Sequence, residues 1–480
     1  MKRYKHNLSH QRLLTCDMGQ LIPISTVEVL PGDTVQHNTN ALIRVSPLAA
    51  PVMHSVTARI HHFFVPNRLV WDSWEDFITG GADGFNSDTV PQVTITSDPP
   101  GPLPDYMGVP LVEGLDINAM PIRAFNLIYN EFYRDQDLAS VRAEDDMTIP
   151  QIAWEKDYFT TCRPWTQKGP DVTVPLGDTA PIIPNTGPPS YTNDNNQNAT
   201  AFGAGTGGSS GLVSHAAPTE GSDFYWSDPN LIADLSAAVG GDINDIRKAF
   251  AIQRYQEARA RYGSRYTEYL RYLGVTPADS RLQRPEFLGG GSTQLNFSEI
   301  MQSANGTDPR FGVGDLYGHG IGAMRSNRYR RHIEEHGFII SLLSVRPKTV
   351  YNQAVNRKWL RTDKEDYFQK ELAQIGQQAV QNVEVYGPDD DRDTTFGYQD
   401  RYAEYREEWS GVSAEFRDTL NYWHMARDFT AQPVLNQSFT DCIPTKRIHN
   451  EQTANALWVT AQHKMVARRI VPRNAAPRIL

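Results

Sequence analysis

His332, Ile333, Glu334, Glu335 and His336 spell H-x-x-E-H, a pattern that on a helix turns two imidazoles to one face for zinc and leaves a glutamate as general base. The neighbourhood argues against that chemistry. Gly337 follows at once, then the β-rich FIISLLSV, and in a strand His332, Glu334 and His336 merely alternate with their neighbours; an interface or rim segment is expected. Gly312, Gly314, Gly318, Gly320 and Gly322 are spaced GVGDLYGHGIG, without the G-x-G-x-x-G pattern or the lysine of a phosphate-cradling loop, so turns and close subunit packing are expected. Asp389, Asp390, Asp391 and Asp393 miss the spacing of a calcium loop and read as a solvated acidic turn. His61 and His62 point to opposite faces of a strand and cannot share a metal. Cys16, Cys162 and Cys442 are odd in number and far apart, which favours isolated reduced thiols over a disulfide or zinc framework. The sequons at Asn198 and Asn305 carry little weight without a secretory signal. No catalytic residue, metal or cofactor is expected.

The elements that would have to position these residues are those of a β protein. Hydrophobic residues make up 39%, mean hydropathy is −0.50, and 31 Pro with 35 Gly imply many turns and long irregular connections. A length of 480 residues then suits one large domain, 1–480, carrying insertions. Strands are expected at 26–36 (TVEVLPGDTVQ) and 54–65, the second placing Val56, Ala58, Ile60, His62 and Phe64 on one face. Asp72 and Glu75 open a short helix that ends at Gly80 and Gly81. A second helix is expected at 121–134, and a third begins after Asp242 with Ile243, Ile246, Ala249 and Phe250 on one side. Late strands at 337–345 and 456–466 imply that segments from both ends of the chain meet in one sheet system. There is no run of about 18 apolar residues, and no apolar segment follows the basic start, so neither a membrane span nor a signal peptide is expected.

Charge is unevenly distributed. Residues 1–12 hold Lys2, Arg3, Lys5 and Arg12 without an acid, and residues 461–480 hold Lys464, Arg468, Arg469, Arg473 and Arg478 without one. Removing those nine charges from the net −10 leaves −19 for the remainder. Between Lys168 and Arg247 lie 78 residues with no Lys or Arg and nine Asp or Glu, so this part should avoid polyanions. Within it, residues 175–223 contain the run PPSYTNDNNQNATAFGAGTGGSSG (188–211), nearly all Asn, Gly, Ser, Thr, Ala and Pro; such a composition buries little apolar surface, and a long ordered loop of this kind is usually functional.

Four blocks in order, IHHFFVPNRLVWDSWEDFITGG (60–81), DYFTTCRPWTQKGP (157–170), RLQRPEFLGGG (281–291) and NYWHMAR (421–427), resemble the major capsid proteins of small single-stranded DNA phages. The likeness is strongest to the gokushovirus branch of the microviruses. It implies a mainly β fold, an eight-stranded antiparallel viral jelly roll with long loop and helix insertions, which pairs distant segments antiparallel. It also implies a structural protein of the virion, assembled in the host cytoplasm into a T=1 icosahedral shell of sixty copies, with pentamers and threefold contacts, around a circular single-stranded DNA genome. Residues 175–223 take the position of an insertion that projects at the threefold axis and contacts a host surface receptor, with Tyr191, Asn195, Asn196 and Phe202 as its contact residues. Lys2, Arg3, Lys5, Arg12, Lys464, Arg468, Arg469, Arg473 and Arg478, on a basic arm (1–12) and a basic tail (461–480), are expected to touch DNA phosphates in the lumen. Residues 461–480 contain no aromatic residue, so electrostatic contact should outweigh base stacking. Sixty copies bring only about 540 such charges against several thousand phosphates. A small basic DNA-binding protein is therefore implied, together with an internal scaffolding protein and a minor pilot protein. Irregular connections at 99–114 and 281–306 should be ordered by neighbouring subunits. The reading from another class is a glycan-binding β-sandwich, and a third is a metallohydrolase at His332 and His336; a megadalton particle, a monomer or stoichiometric zinc would separate the three.

Overall fold

Two kinds of β segment occur in this chain, one alternating apolar with polar residues and one apolar throughout. A computed structural model places them differently. It describes residues 2–96, 103–172, 182–185, 190–193, 198–200, 224–228, 231–233, 243–263, 265–303, 312–388 and 394–473. They form two compact units, one of Met1–Thr166 with Arg259–Leu480 and one of Gln167–Ala258.

The larger unit is built on ten strands: β1 (Tyr4–Asn7), β2 (His10–Cys16), β3 (Leu21–Val29), β4 (Thr34–Val45), β5 (Val56–Pro66), β6 (Glu286–Met301), β7 (Leu316–Arg325), β8 (Tyr329–His332), β9 (Gly337–Pro347) and β10 (Leu457–Arg469). Eight of them follow one path, β1-β10-β4-β7-β6-β5-β9-β3, while β2 also pairs with β10 and β8 with β4. Every pairing along the path is antiparallel. The long β6 joins the two halves: its residues 286–295 pair with β5, and residues 296–301 with β7. The sheet curls so that Ile22, Ile43, Ile60, Leu343, Leu457 and Val459, from both halves, share one core. This is the mainly β, jelly-roll type of capsid fold that the sequence leads one to expect.

The halves differ on their outer faces. On β5 and β9 the outer face is covered by α3 (Met120–Phe132), where Phe125 and Ile128 pack with Phe63, Ile340 and Leu342. A strand buried on both faces has no use for alternation, which accounts for the apolar run GFIISLLSV. On β10 the inward positions Leu457, Val459, Ala461, His463, Met465 and Ala467 are buried, while Trp458, Gln462, Lys464 and Arg468 are exposed. That outer face is bare.

Three of the four resemblance blocks supply framework here. The first forms the end of β5 and α1 (Trp74–Thr79), closed by Gly80 at φ +85°; the second places Tyr158, Phe159 and Cys162 in a third core cluster with Tyr351 and Phe396. In the last, His424, Met425 and Ala426 are buried, and the guanidinium of Arg427 lies 4.1 Å from the Phe439 ring centroid.

Several expectations need correction. Residues 26–36 are not one strand: Gly32, at φ +83°, turns the chain between β3 and β4, as Pro31-Gly32-Asp33 permits. Residues 281–306 are not an irregular connection, since they contain the 16-residue β6. Its glycines allow close approach rather than a loop; a Cβ at Gly290 would lie 2.2 Å from the carbonyl oxygen of Ile60. Likewise Gly318, Gly320 and Gly322 stand on the buried face of β7, not in turns, and a Cβ at Gly318 would meet the Ala50 carbonyl oxygen at 2.5 Å. In the 99–114 connection, α2 (Leu103–Met107) buries Leu103 in the subunit's own core. The helix expected to open at Asp72 begins at Trp74, with Ser73 rather than Asp72 at the N-cap position and no side-chain cap bond from it. The third expected helix is α4 (Ile243–Tyr262), but its Phe250 is 65% exposed.

In the smaller unit, Ile182–Pro184 pairs with Leu231–Ala233, and Ser190–Asn193 lies between Asn198–Thr200 and Phe224–Asp228. Short strand pairs thus occur inside the polar stretch, where composition offers no strand signal.

Candidate nucleic-acid interface

The two basic ends of the chain are neighbours. β1 runs antiparallel to β10 with Lys5 opposite Arg468 and Tyr4 opposite Arg469, and both Lys5 and Arg468 are exposed. Like charges directly opposite one another destabilise a sheet by up to about 1 kcal/mol. The pair is tolerated on an open face. Lys464 is exposed two turns of the pleat away, opposite Asn38 of β4.

Register extends this face. Arg44 lies opposite Trp458, Arg325 opposite Asn40, and Arg330 opposite Gln36. All three arginines are exposed. Across β1, β2, β10, β4, β8 and β7 the outward register positions hold Lys5, Arg44, Arg325, Arg330, Lys464 and Arg468 and no Asp or Glu. Among the described residues none of these six cations has a carboxylate partner. At one end of the face Trp458, 47% exposed, borders a groove of about 870 Å³ with Leu13, Leu42 and Arg44, into which α2 also brings Asp105. The arrangement can hold a polyanion by charge and offers one indole for stacking.

The other residues expected to touch DNA are placed differently. Arg469 points inward, and its Nη2 donates to Asp33 Oδ2 at 2.7 Å, where Asp33 is fully buried. Arg12 is half-buried on the inner side of β2 and donates to the Met107 carbonyl at 3.0 Å. Lys2, Arg3 and Arg473 are exposed beyond the strands. Arg478, and Asn195, Asn196 and Phe202 of the proposed host loop, lie outside the described residues, as do Asp389, Asp390, Asp391 and Asp393. Tyr191 falls in the strand Ser190–Asn193. Arg44, Arg325, Arg330 and Trp458 were missed by sequence reasoning, because each is isolated along the chain and only the register brings it to the others. Their signal was alternation: each sits at a polar phase of its strand.

The H-x-x-E-H segment is not helical, and only its first residue lies in a strand. β8 ends at His332, residues 333–336 form the turn into β9, Ile333 is buried, and Glu335 pairs with Arg68.

Beneath the bare face, the inner side of β10 carries a histidine cluster. His463 Nε2 donates to the Ile24 carbonyl at 3.1 Å, and its Nδ1 lies 2.9 Å from Thr39 Oγ1 and 3.2 Å from His37 Nε2. His37 reaches the Tyr329 hydroxyl at 3.1 Å, and His62 lies between Ser341 (2.8 Å) and Ser326 (3.0 Å). The rings of His37 and His62 are 4.8 Å apart and those of His10 and His463 are 4.7 Å apart. His37, His62 and His463 are at most 1% exposed. Burial first, and the neighbouring imidazoles second, push all three from 6.5 down to about 3. They are neutral hydrogen-bonding groups at pH 7.

Comparison with known proteins decides what kind of molecule this is. Residues 1–472 match the family described as capsid protein (F protein). The chain belongs to this phage capsid family. It is 36% identical over 476 residues to capsid protein VP1 of Bdellovibrio phage phiMH2K, covering 92% of this chain and 88% of the relative. It is 31% identical to capsid protein VP1 of Chlamydia phage 1, with 92% and 89% covered, and 31% identical to capsid protein VP1 of Spiroplasma virus 4, with 91% and 87% covered. It is thus a microvirus major capsid protein of the gokushovirus type. In this capsid protein the acid-free face is a surface of the shell subunit itself, carried on its central sheet.

Proposed function

We propose that this capsid protein assembles as sixty copies into a T=1 shell enclosing a circular single-stranded DNA genome, with the acid-free outer face of β1, β10, β4, β8 and β7 turned to the DNA. One observation carries the reading. A subunit with net charge −10 has, among the described residues, no Asp or Glu at the outward strand positions of one sheet face and six cations there without a carboxylate partner. Phosphate contacts of this kind give affinity without sequence preference. Trp458 adds stacking at one end, so aromatic contact has a larger part than the tail sequence alone suggests. The charges remain too few to neutralise a genome, in line with a separate small basic DNA-binding protein. An internal scaffolding protein, a minor pilot protein and a host receptor, met by the 175–223 insertion, complete the proposed partners.

The test is single-stranded DNA binding measured across a salt series. Replacing Arg330, Lys464 and Arg468 together by Gln should weaken binding and lower the log–log salt slope by about 2, at roughly 0.7 per lost phosphate contact. Arg469 is left intact because Asp33 holds it. An unchanged slope with normal genome packaging would rule out this face.

A further inference from the structure

The outer face of the other half of the sheet is not sealed throughout. Where α3 ends, a cavity of about 300 Å³ opens over β5 and β9, and its walls include Arg59, Arg346 and Lys156 but no Asp or Glu. Arg59 lies opposite Ser344 in the register, and Arg346 lies opposite Thr57, so the two arginines are diagonal neighbours. Like charges so placed repel. Burial, and after it Arg59, pull the proton affinity of Arg346 below its ordinary value, which Glu155 offsets only in part. Glu155 itself is paired with Lys348 at 3.1 Å, and Asp135 with Lys156 at 2.7 Å. Arg346 donates to the Ala153 carbonyl at 2.9 Å, and among the described residues Arg59 has no carboxylate partner.

We propose that this cavity is a binding site for a phosphate-class oxyanion, held between Arg59 and Arg346 with the hydroxyls of Thr57 and Ser344 as further donors. The reasoning is one of unmet demand. Two guanidinium groups share a recess whose other charged wall residue is also a cation, and both hydroxyl side chains stand on the same strand faces as the arginines. An arginine fork matches a tetrahedral oxyanion with two parallel donors, and a charge-assisted bond of this kind is about twice as strong as a neutral one. The site is separate from the acid-free face of β10 and β4 and does not depend on what that face binds.

The experiment is calorimetric titration and thermal unfolding of the full-length protein with inorganic phosphate, and in a second arm with a deoxynucleoside 5′-monophosphate. Chloride at matched ionic strength is the control. Binding by the wild type is expected, with Arg59→Gln weakening it about tenfold or more, since a lost charge-assisted hydrogen bond is worth about that factor. Arg59 is exposed and holds no structural partner, so this variant should fold normally; Arg346→Lys, which keeps the charge and loses the fork, should weaken binding less. Lys464→Gln should bind as the wild type does. Tighter binding of the nucleotide than of phosphate supports the proposal and adds a base subsite; equal binding supports it with phosphate alone as ligand. Stabilisation no greater than that of chloride, or full retention of binding by Arg59→Gln, overturns it.

Discussion

Lowering the pH from 7 to 5 should take a large part of the subunit's stability, and the buried histidines set the size of the loss. His37, His62 and His463 have folded values of about 3 against 6.5 in the open chain. Their folded-state affinity for protons is the lower one, so their contribution is intact above about pH 6.5 and is lost as pH falls from there towards 3. Between those limits the unfolded chain binds protons that the fold refuses. Each histidine costs about 1.4 kcal/mol per pH unit in that window, or about 2 kcal/mol at pH 5. Three together cost about 6 kcal/mol, and the sum is legitimate because none is charged in the fold until about pH 3. Against a typical total of about 5–15 kcal/mol, that is enough to unfold a free subunit. Asp441 works in the opposite sense: burial raises it from 3.8 to about 6, which returns about 1 kcal/mol at pH 5. Urea unfolding of the isolated subunit at half-unit pH steps would follow the balance. His62→Gln keeps polar atoms for Ser341 and Ser326 while removing one titrating ring. It should lower the pH dependence between 5.5 and 4 by about 1.4 kcal/mol per unit. A midpoint that stays flat from pH 7 to 4.5, or a variant with the same pH dependence as the wild type, would refute the reasoning.

Gly290→Ala should cost about 3 kcal/mol or more, because its Cβ would lie 2.2 Å from the Ile60 carbonyl oxygen in the facing strand; loss of soluble protein or a sharply lowered urea midpoint is the expected readout, and wild-type stability would show that β5 and β6 can separate without penalty. Replacing residues 177–223 by a short Gly-Ser linker should change the stability of the larger unit by less than about 1 kcal/mol, since that unit has its own cores, while host adsorption falls sharply; failure of the truncated chain to assemble would make the insertion a structural clamp instead.

Period-2 alternation was readable at β10 and in the first half of β5, where burial follows side-chain parity, and the apolar run of β9 was readable because both its faces are buried. The end of α1 at Gly80 was readable from its glycine, and the extent of α3 from apolar spacing, while the start of α1 was not. What the sequence hid was glycine used for closeness. Gly290 and Gly291, and Gly318, Gly320 and Gly322, resemble loop punctuation, yet they lie in strands where another backbone or side chain occupies the space of a Cβ. The interface was half legible. Terminal Lys and Arg runs are visible as composition, but Arg44, Arg325 and Arg330 join them only through cross-strand register, and the burial of Arg469 against Asp33 follows from parity one residue past Arg468. Register is a long-range property that a single chain does not print.

The placement of β10 also sets an order on synthesis. This strand, the last of the ten to leave the ribosome, is the one that pairs with β4, β1 and β2 at once. Until it arrives, β4 presents an open edge and the first two strands have no partner on that side of the sheet. A growing chain can close the half around β5 and β9 early, but the surface carrying Lys5, Lys464 and Arg468 comes into being only once β10 has been made. A chain that stops short of β10 therefore keeps Arg44, Arg325 and Arg330 but lacks Lys464 and Arg468, and its Lys5 has no strand to hold it beside them.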